Sequence, residues 1–268
     1  MSATTPPEPR PVFLAPHYDD VALSCGGTVA ALAEGGARPL IVTCFGGAPD
    51  GPLSDFARFQ HERWGVGPDD AVRIRRAEEA CAAAALRAEA LWLDFRDAIY
   101  RGTRYTSDDD LFGPLHPDDR PLVDDLTAAV AALAAPSATV YVPLGVGNHV
   151  DHQIATLAGQ RLAGMGRRVV AYEDFPYAGD PAGAPALQAR AAEVAAGPAE
   201  TRFLTPAQLE ARVRAILCYR TQLPVIFRHQ GDPAESTRRY ARAAGAGRPA
   251  ERFWPLRAAG AACGDEPS

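Results

Sequence analysis

Two short polar segments hold the residues best suited to chemistry. Pro16-His17-Tyr18-Asp19-Asp20 follows the apolar run Val12-Phe13-Leu14-Ala15, and Gly145-Val146-Gly147-Asn148-His149-Val150-Asp151-His152 follows Thr139-Val140-Tyr141-Val142-Pro143-Leu144. Together they carry three of the chain's six histidines and three carboxylates. Imidazole and carboxylate without thiolate suit zinc or another divalent first-row ion. His17 and Asp20 are three residues apart, as are His149 and His152, a spacing that places two side chains on one face of a helical turn. A catalytic site of this kind uses three protein ligands and keeps a position for water. Because Asp19 points away from Asp20, one acid can bind the metal while its neighbour takes the proton from the attacking water, whose pKa zinc can lower to about 7. The spare histidine would act as general acid or oxyanion donor, with Asp151 to orient it. Either aspartate of the first segment would also serve as a helix N-cap. Caps alone do not explain two such clusters, each directly after an apolar strand.

The elements that must position these residues read as alternating strands and helices. Strands are expected at Val12–Ala15, Pro39–Phe45, Leu91–Phe95, Thr139–Leu144 and Arg168–Tyr172. Helices are expected at Val21–Glu34, Ala71–Arg87, Leu122–Ala135, His152–Ala163 and Pro206–Tyr219. Continuous apolar strands alternating with helices predict an α/β, Rossmann-like three-layer sandwich with a mostly parallel sheet. Ligands of such sheets bind outside the carboxyl ends of the strands, where strand order switches. If the first and fourth strands are neighbours, the two clusters share one site. Residues 46–70 and 100–119 read as loops, with His61 and His116 on the surface, His229 structural and Asp108-Asp109-Asp110 a solvated stretch. Residues 1–10 read as a disordered arm and residues 11–268 as one domain, with a flap over 174–204 that has weak helical character from 184 to 196. The tail from 245 reads as loose except at Arg252-Phe253-Trp254.

Composition excludes several classes. The chain has 268 residues with a formal net charge of −6, and all 27 of its basic residues are arginine. No lysine means no Schiff-base, pyridoxal-phosphate or Walker-A lysine chemistry. Without a basic face a nucleic-acid partner is not expected. The N-terminus lacks the features of a signal peptide, and no apolar run approaches the ~20 residues of a membrane span. Cysteines 25, 44, 81, 218 and 263 are odd in number and show no CxxC, so they read as free thiols of a reducing cytoplasm. Asn148 is the single asparagine, and its place inside the second cluster points to a role in binding substrate or fixing the turn.

These segments resemble the PIG-L/LmbE-like zinc-dependent N-acetylglucosaminyl deacetylases. The first motif of that family, (A/P)HxDD followed by a glycine pair, corresponds here to Pro16-His17-Tyr18-Asp19-Asp20 with Gly26-Gly27, and the second, HxDH, to His149-Val150-Asp151-His152. The resemblance covers roughly residues 10–175. It implies a Rossmann-like fold, with His17, Asp20 and His152 as zinc ligands and Asp19 as general base. It also implies His149 as oxyanion stabiliser or proton donor, and Asp151 as its supporting acid. Arg75 with Glu78 matches an RxxE pattern whose arginine is associated with substrate, and Asp97 falls near an acidic position associated with sugar hydroxyls. Two positions depart from common members: Val21 stands where many carry Glu, and Gly147 where the thiol-sugar branch carries Tyr.

The resulting expectation is a zinc-dependent hydrolase that removes an N-acyl group from an amino sugar or from a glycoside carrying one. A dinucleotide-binding oxidoreductase is the alternative on the same sheet, but Asp19 and Asp20 would repel a pyrophosphate and no third glycine stands after Gly145-Val146-Gly147. An inactive metal-binding scaffold is the other alternative, and the full ligand and base set argues against it. Oligomeric state is not legible in the sequence.

Overall fold

The computed structural model of the chain describes residues 9–180 and 183–257. Its elements are β1 (Val12–Ala15), α1 (Asp20–Glu34), β2 (Leu40–Thr43), α2 (Asp55–Trp64), α3 (Pro68–Leu86), β3 (Glu89–Trp92), α4 (Asp108–Leu111), α5 (Pro121–Leu133), β4 (Thr139–Pro143), α6 (Val150–Gly164), β5 (Arg168–Tyr172), α7 (Gly183–Glu193), β6 (Glu200–Phe203), α8 (Pro206–Ile216), α9 (Leu223–Ile226), α10 (Pro233–Ala244) and β7 (Ala250–Pro255). The sheet order is β3-β2-β1-β4-β5-β7-β6. β1 to β5 run parallel, while β7 pairs antiparallel with both β5 and β6. The chain leaves β1 towards β2 on one side and later returns to β4 on the other. The β1/β4 boundary is therefore the point where strand order switches.

Alternation along each strand builds the two cores. Val12 and Leu14 of β1, with Val140 and Val142 of β4, pack against α5, α6 and α7. Phe13, Ala15 and Tyr141 face the other way, onto α1, α3 and α8. Helices on both faces leave the carboxyl ends of the parallel strands as the open edge.

α1 is not a continuous helix. Cys25 has non-helical angles, φ −142° and ψ 23°, and the helix bends there. Both broken ends find buried partners from the last quarter of the chain. Arg212 donates to the Leu23 carbonyl, and Glu251 accepts from Gly27 and Thr28 N–H at 2.9 and 2.8 Å. Arg212 and Glu251 pair with each other at 3.1 Å. A Cβ at 27 would lie 2.4 Å from a Leu204 methyl and 2.9 Å from Glu251 Oε1, so a side chain there would push both aside.

Several expectations need correction. The stretch 46–70 contains α2, started by the Ser54 side chain accepting from Ala57 N and stopped by Gly65 at φ 66°. The segment 174–204 contributes α7 and the edge strand β6 rather than only a flap. The tail from 245 supplies β7, which completes the sheet. Cys81 and Cys218 form a disulfide joining α3 to the end of α8, so the cysteine pattern no longer argues for a reducing compartment. Cys25 and Cys44 are buried free thiols, and Cys263 lies outside the described residues, as does the expected arm except for residues 9 and 10. No described helix is long and apolar enough to cross a membrane.

Candidate active site

The carboxyl ends of four parallel strands deliver the site: β1 brings His17, Asp19 and Asp20; β3 brings Asp97; β4 brings His149, Asp151 and His152; β5 brings Asp174. His17, Asp20 and His152 place one potential ligand atom each within 4.8 Å of one another. Asp20 Oδ1 lies 3.4 Å from His152 Nε2, and Asp20 Oδ2 lies 3.6 Å from His17 Nδ1. Asp20 also accepts from the His17 backbone N–H at 2.6 Å, which locks the turn after β1.

The outer nitrogen of each of these two histidines is anchored by a buried carboxylate. His17 Nε2 donates to Asp151 Oδ2 at 3.0 Å, and His152 Nδ1 donates to Asp174 Oδ1 at 2.7 Å. Each imidazole therefore turns its other nitrogen towards Asp20. Carboxylates behind metal-bound histidines fix the tautomer and ring orientation in this way. Asp174 in turn accepts from Gly145 and Val146 N–H at 2.8 and 2.9 Å. Asp151 is held by Ala98 N–H at 3.1 Å and by an ion pair with buried Arg101, which also binds Asp119 at 2.7 Å.

Electrostatics agree with a cation-binding cluster. Burial opposes charge on His152, but the Asp20 and Asp174 carboxylates outweigh it and hold its pKa up to about 10. The cluster draws a positive charge to the place a metal ion would take. Burial lowers the His17 pKa despite Asp97 and Asp20, so its imidazole is neutral, the form that ligates. The donor set, its outer anchors and its charge therefore fit a divalent ion.

Asp19 occupies the N-cap position of α1, yet its side chain makes no capping hydrogen bond. Burial first, and Asp20 second, raise its pKa to about 6, against the pull of Arg75 and His17. The result is a carboxylate that is ionised near neutral pH and basic enough to accept a proton. His149 caps α6: its Nδ1 accepts from Asp151 N–H at 3.2 Å. Burial, reinforced by His17 and His152, lowers its pKa well below the ordinary value. A neutral ring with Nδ1 accepting carries its proton on Nε2, so His149 is a hydrogen-bond donor. Asp151, expected to support His149, bonds His17 through its side chain and His149 Nδ1 through its backbone N–H, while its carboxylate lies within 4.8 Å of a His149 ring nitrogen.

Arg75 is buried between the rings of Tyr18 and Trp64, 4.8 and 4.9 Å from their centroids. Its Nη1 stands 3.8 Å from Asp97, and its Nε has no hydrogen-bond partner among the described residues. Asp97 is also 3.8 Å from His17 Nε2. Glu78, the second residue of the RxxE pattern, instead grips the backbone N–H and hydroxyl of Thr221 at 2.9 and 2.7 Å. Asn148 is exposed, at φ 64°, and its amide donates to the Phe112 and Gly113 carbonyls at 2.9 and 3.2 Å. It fixes the turn and does not line the cavity.

A cavity of about 500 Å³ opens over the cluster. His17, Asp19, Asp20, Arg75, Asp97, His149 and His152 line its floor. Gln222 to Gln230, including α9, contributes a wall that sequence reading missed. His229 lines this cavity and is exposed, not structural, whereas His61 is buried and bonded to the Tyr100 hydroxyl at 2.7 Å, not on the surface. Asp108 also reaches the cavity, and its neighbours form α4 rather than a featureless loop. Asp174 carried a usable signal in the sequence, since it follows an apolar strand as the two motifs do.

The chain is similar to proteins of known activity. It is 31% identical over 183 residues to a 2'-N-acetylparomamine deacetylase of Niallia circulans, covering 62% of this chain and 66% of that one. It is 34% identical over 179 residues to a 2'-N-acetylparomamine deacetylase of Streptomyces fradiae, covering 63% and 58%. The alignments thus span less than two thirds of either relative's length. Among solved structures it resembles the zinc-inhibited form of a teicoplanin deacetylase, with TM-score 0.79, 26% identity and coverage of 94% of this chain and 100% of the other. The PIG-L family, described as GlcNAc-PI de-N-acetylase, matches residues 12–163, the stretch that contains both motif segments. Since that match covers more than half of the chain, the protein belongs to the PIG-L family.

Proposed function

We propose that the chain is a metal-dependent amidohydrolase that removes the N-acetyl, or another N-acyl, group from an amino sugar within a natural-product precursor. One observation carries the reading: three converging ligands, His17, Asp20 and His152, stand beside a carboxylate, Asp19, left free of capping duty at the floor of a cavity. His17, Asp20 and His152 would hold the ion, and zinc suits two imidazoles and a carboxylate. A bound divalent ion supplies Lewis acidity towards the acyl carbonyl and the attacking water.

The protein's own groups do the rest. Asp19, with its pKa near 6, takes the proton of the attacking water and returns it to the departing amine. His149 directs Nε2–H at the oxygen that becomes negative as the carbonyl turns tetrahedral. Arg75, whose side chain lines the cavity beside Asp97, is placed to meet the sugar. Acetate and a free amine are the products. No nucleic-acid partner is needed for any of these steps.

The test pairs turnover with metal content. Asp19→Asn should lower acetate release at least about a hundredfold, while metal measured by mass spectrometry stays at the wild-type ratio. Near-normal release by that variant would refute Asp19 as the base. Metal-loaded wild type that hydrolyses none of a panel of N-acetylated amino sugars would refute the activity.

A further inference from the structure

One wall of the cavity, residues 222–230, is weakly built in itself. α9 has four residues, no side-chain cap and no fully buried residue, yet Val225 and Ile226 line the cavity from it. The far end of this wall is held by Phe227, whose ring lies 5.9 Å from that of Phe175, and by Gln230, which donates to Asp180 at 2.7 Å. Its near end grows out of a turn in which the Gln222 and Leu223 N–H groups both bond to the Tyr219 carbonyl.

The chain around that turn is tied to α3 twice. Glu78 accepts from the Thr221 N–H and hydroxyl at 2.9 and 2.7 Å, and Cys81 is joined to Cys218 by the disulfide. Glu78 and Cys81 are three residues apart, on one face of α3. The same helix carries Arg75 to the cavity floor. α3 therefore sets the distance between the floor and the α9 wall.

The covalent tie is within reach of solvent. Cys81 is exposed and Cys218 half-buried, whereas the free thiols Cys25 and Cys44 are buried. Exposed disulfides are the ones that exchange readily. One thiolate of a dithiol reductant attacks the exposed Cys81 sulfur, and the S–S bond breaks with its electron pair leaving on Cys218, which takes up a proton. The second thiol of the reductant then closes the reductant's own disulfide and releases Cys81 as a thiol. The protein gains two electrons and two protons, and the dithiol loses them.

We propose that the Cys81–Cys218 disulfide is a redox-sensitive tether of the cavity wall: closed, it keeps Gln222, Val225 and Ile226 in place for substrate, and reduced, it leaves Glu78 alone to position them, so that substrate binding weakens. The inference rests on the deacetylase reading for the identity of the substrate. Since Phe227 and Gln230 still hold the far end, reduction shifts the wall without unfolding it. The ligand cluster on β1 and β4 is untouched, so the effect falls on KM and not on kcat.

Acetate release from N-acetylglucosamine and from 2'-N-acetylparomamine would be measured on metal-loaded protein, oxidised or reduced with dithiothreitol, with mass spectrometry to confirm that both thiols are free. A wall in place about one fifth of the time raises KM about fivefold, with kcat unchanged. Cys81→Ser/Cys218→Ser should show the raised KM without reductant and no response to it. Glu78→Gln, which weakens the second tie, should enlarge the response of KM to reduction. Hydrogen exchange of 218–230 should quicken on reduction, while that of β1 and β4 should not. A KM unmoved by complete reduction, an equal response in the double serine variant, or a response in Glu78→Gln no larger than that of wild type would overturn the inference and leave the deacetylase reading intact. No acetate from either probe, with exchange of 218–230 still quickened by reduction, would refute the deacetylase reading and uphold the tether; unchanged exchange would overturn the tether whatever the activity.

Discussion

Glu79 offers a quantitative test of the electrostatics beneath the site. It lies on α3, one turn from Arg75, and is fully buried. Thr43 Oγ1 sits 2.7 Å from both of its oxygens, and Trp92 Nε1 donates to it. Burial, aided by the nearby Asp19 charge, pushes its pKa from 4.5 up to about 8, although the Thr43 and Trp92 hydrogen bonds pull the other way. Its carboxyl is therefore protonated at neutral pH, and Asp19 is the acid that ionises beside Arg75. The unfolded chain loses this proton near pH 4.5 and the folded chain only near 8. The folded pKa is the higher one, so the stability is fully present below pH 4.5 and is lost as pH rises towards 8. At 1.36 kcal/mol per tenfold, raising the pH from 5.5 to 8 lowers stability by about 3 kcal/mol through this residue alone. Glu79→Gln keeps an acceptor for Trp92 and a donor for Thr43 but does not titrate. The variant should therefore gain on wild type by about 3 kcal/mol across that range, or roughly 6–12 °C in Tm for a chain of this size. Thermal melts of both proteins, equally metal-loaded, at pH 5.5 and 8 measure the difference directly. A stability gap that stays constant within about 1 kcal/mol would refute the buried neutral carboxyl, because Glu79 is the one titratable group removed.

Three further outcomes are expected. Asp174→Asn presents an amide N–H to His152 Nδ1, so metal affinity should fall about 10–100-fold in a chelator competition; unchanged affinity would contradict the anchoring role. Asn148→Ala loses two hydrogen bonds and leaves a non-glycine residue at φ 64°, which should cost about 1–3 kcal/mol in urea unfolding; Asn148→Gly should recover the backbone share of that loss. Replacing Cys81 and Cys218 with Ser opens a link across 137 residues, worth about 5 kcal/mol on the chain-entropy account; a melt unchanged by the double substitution or by reductant would show that the link contributes nothing.

The part of this architecture that could be read in advance is the part dictated by local pattern. β1, β2, β4 and β5 are buried on both faces, so they appear as unbroken apolar runs. Both motif segments announce themselves because each follows such a run with charged residues that packing would not choose. What escaped lacks that contrast. β6 is an exposed edge strand reading Glu-Thr-Arg-Phe, and α2 is a polar helix between glycine- and proline-rich turns, so neither carries an apolar run of its own. The anchor of His17 escaped for another reason. Asp151 lies two residues from His149 and 134 from His17, yet its side chain goes to the distant partner because α6 points it back towards β1. Sequence proximity pointed to His149 alone, and only the β1/β4 adjacency reveals the hydrogen bond to His17.

The same dependence on distant residues governs Asp19 and Asp20. Both sit in the first turn of α1, and the bend at Cys25 sets the direction of that turn. A bend leaves backbone groups without helical partners, and burying them unpaired would cost about 1–3 kcal/mol each. Arg212 and Glu251 supply the missing partners, but each is itself a buried charge, tolerable only because the other is present. The glycine pair after the first motif follows from this arrangement: Glu251 must approach the backbone at 27 so closely that a side chain there would displace it. The family match ends at residue 163, yet the residues that hold its first motif in place lie at 212 and 251. Removing β7 would therefore leave every proposed ligand in the chain and still misdirect Asp20, because the turn that carries it would lose the partner that stabilises its bend.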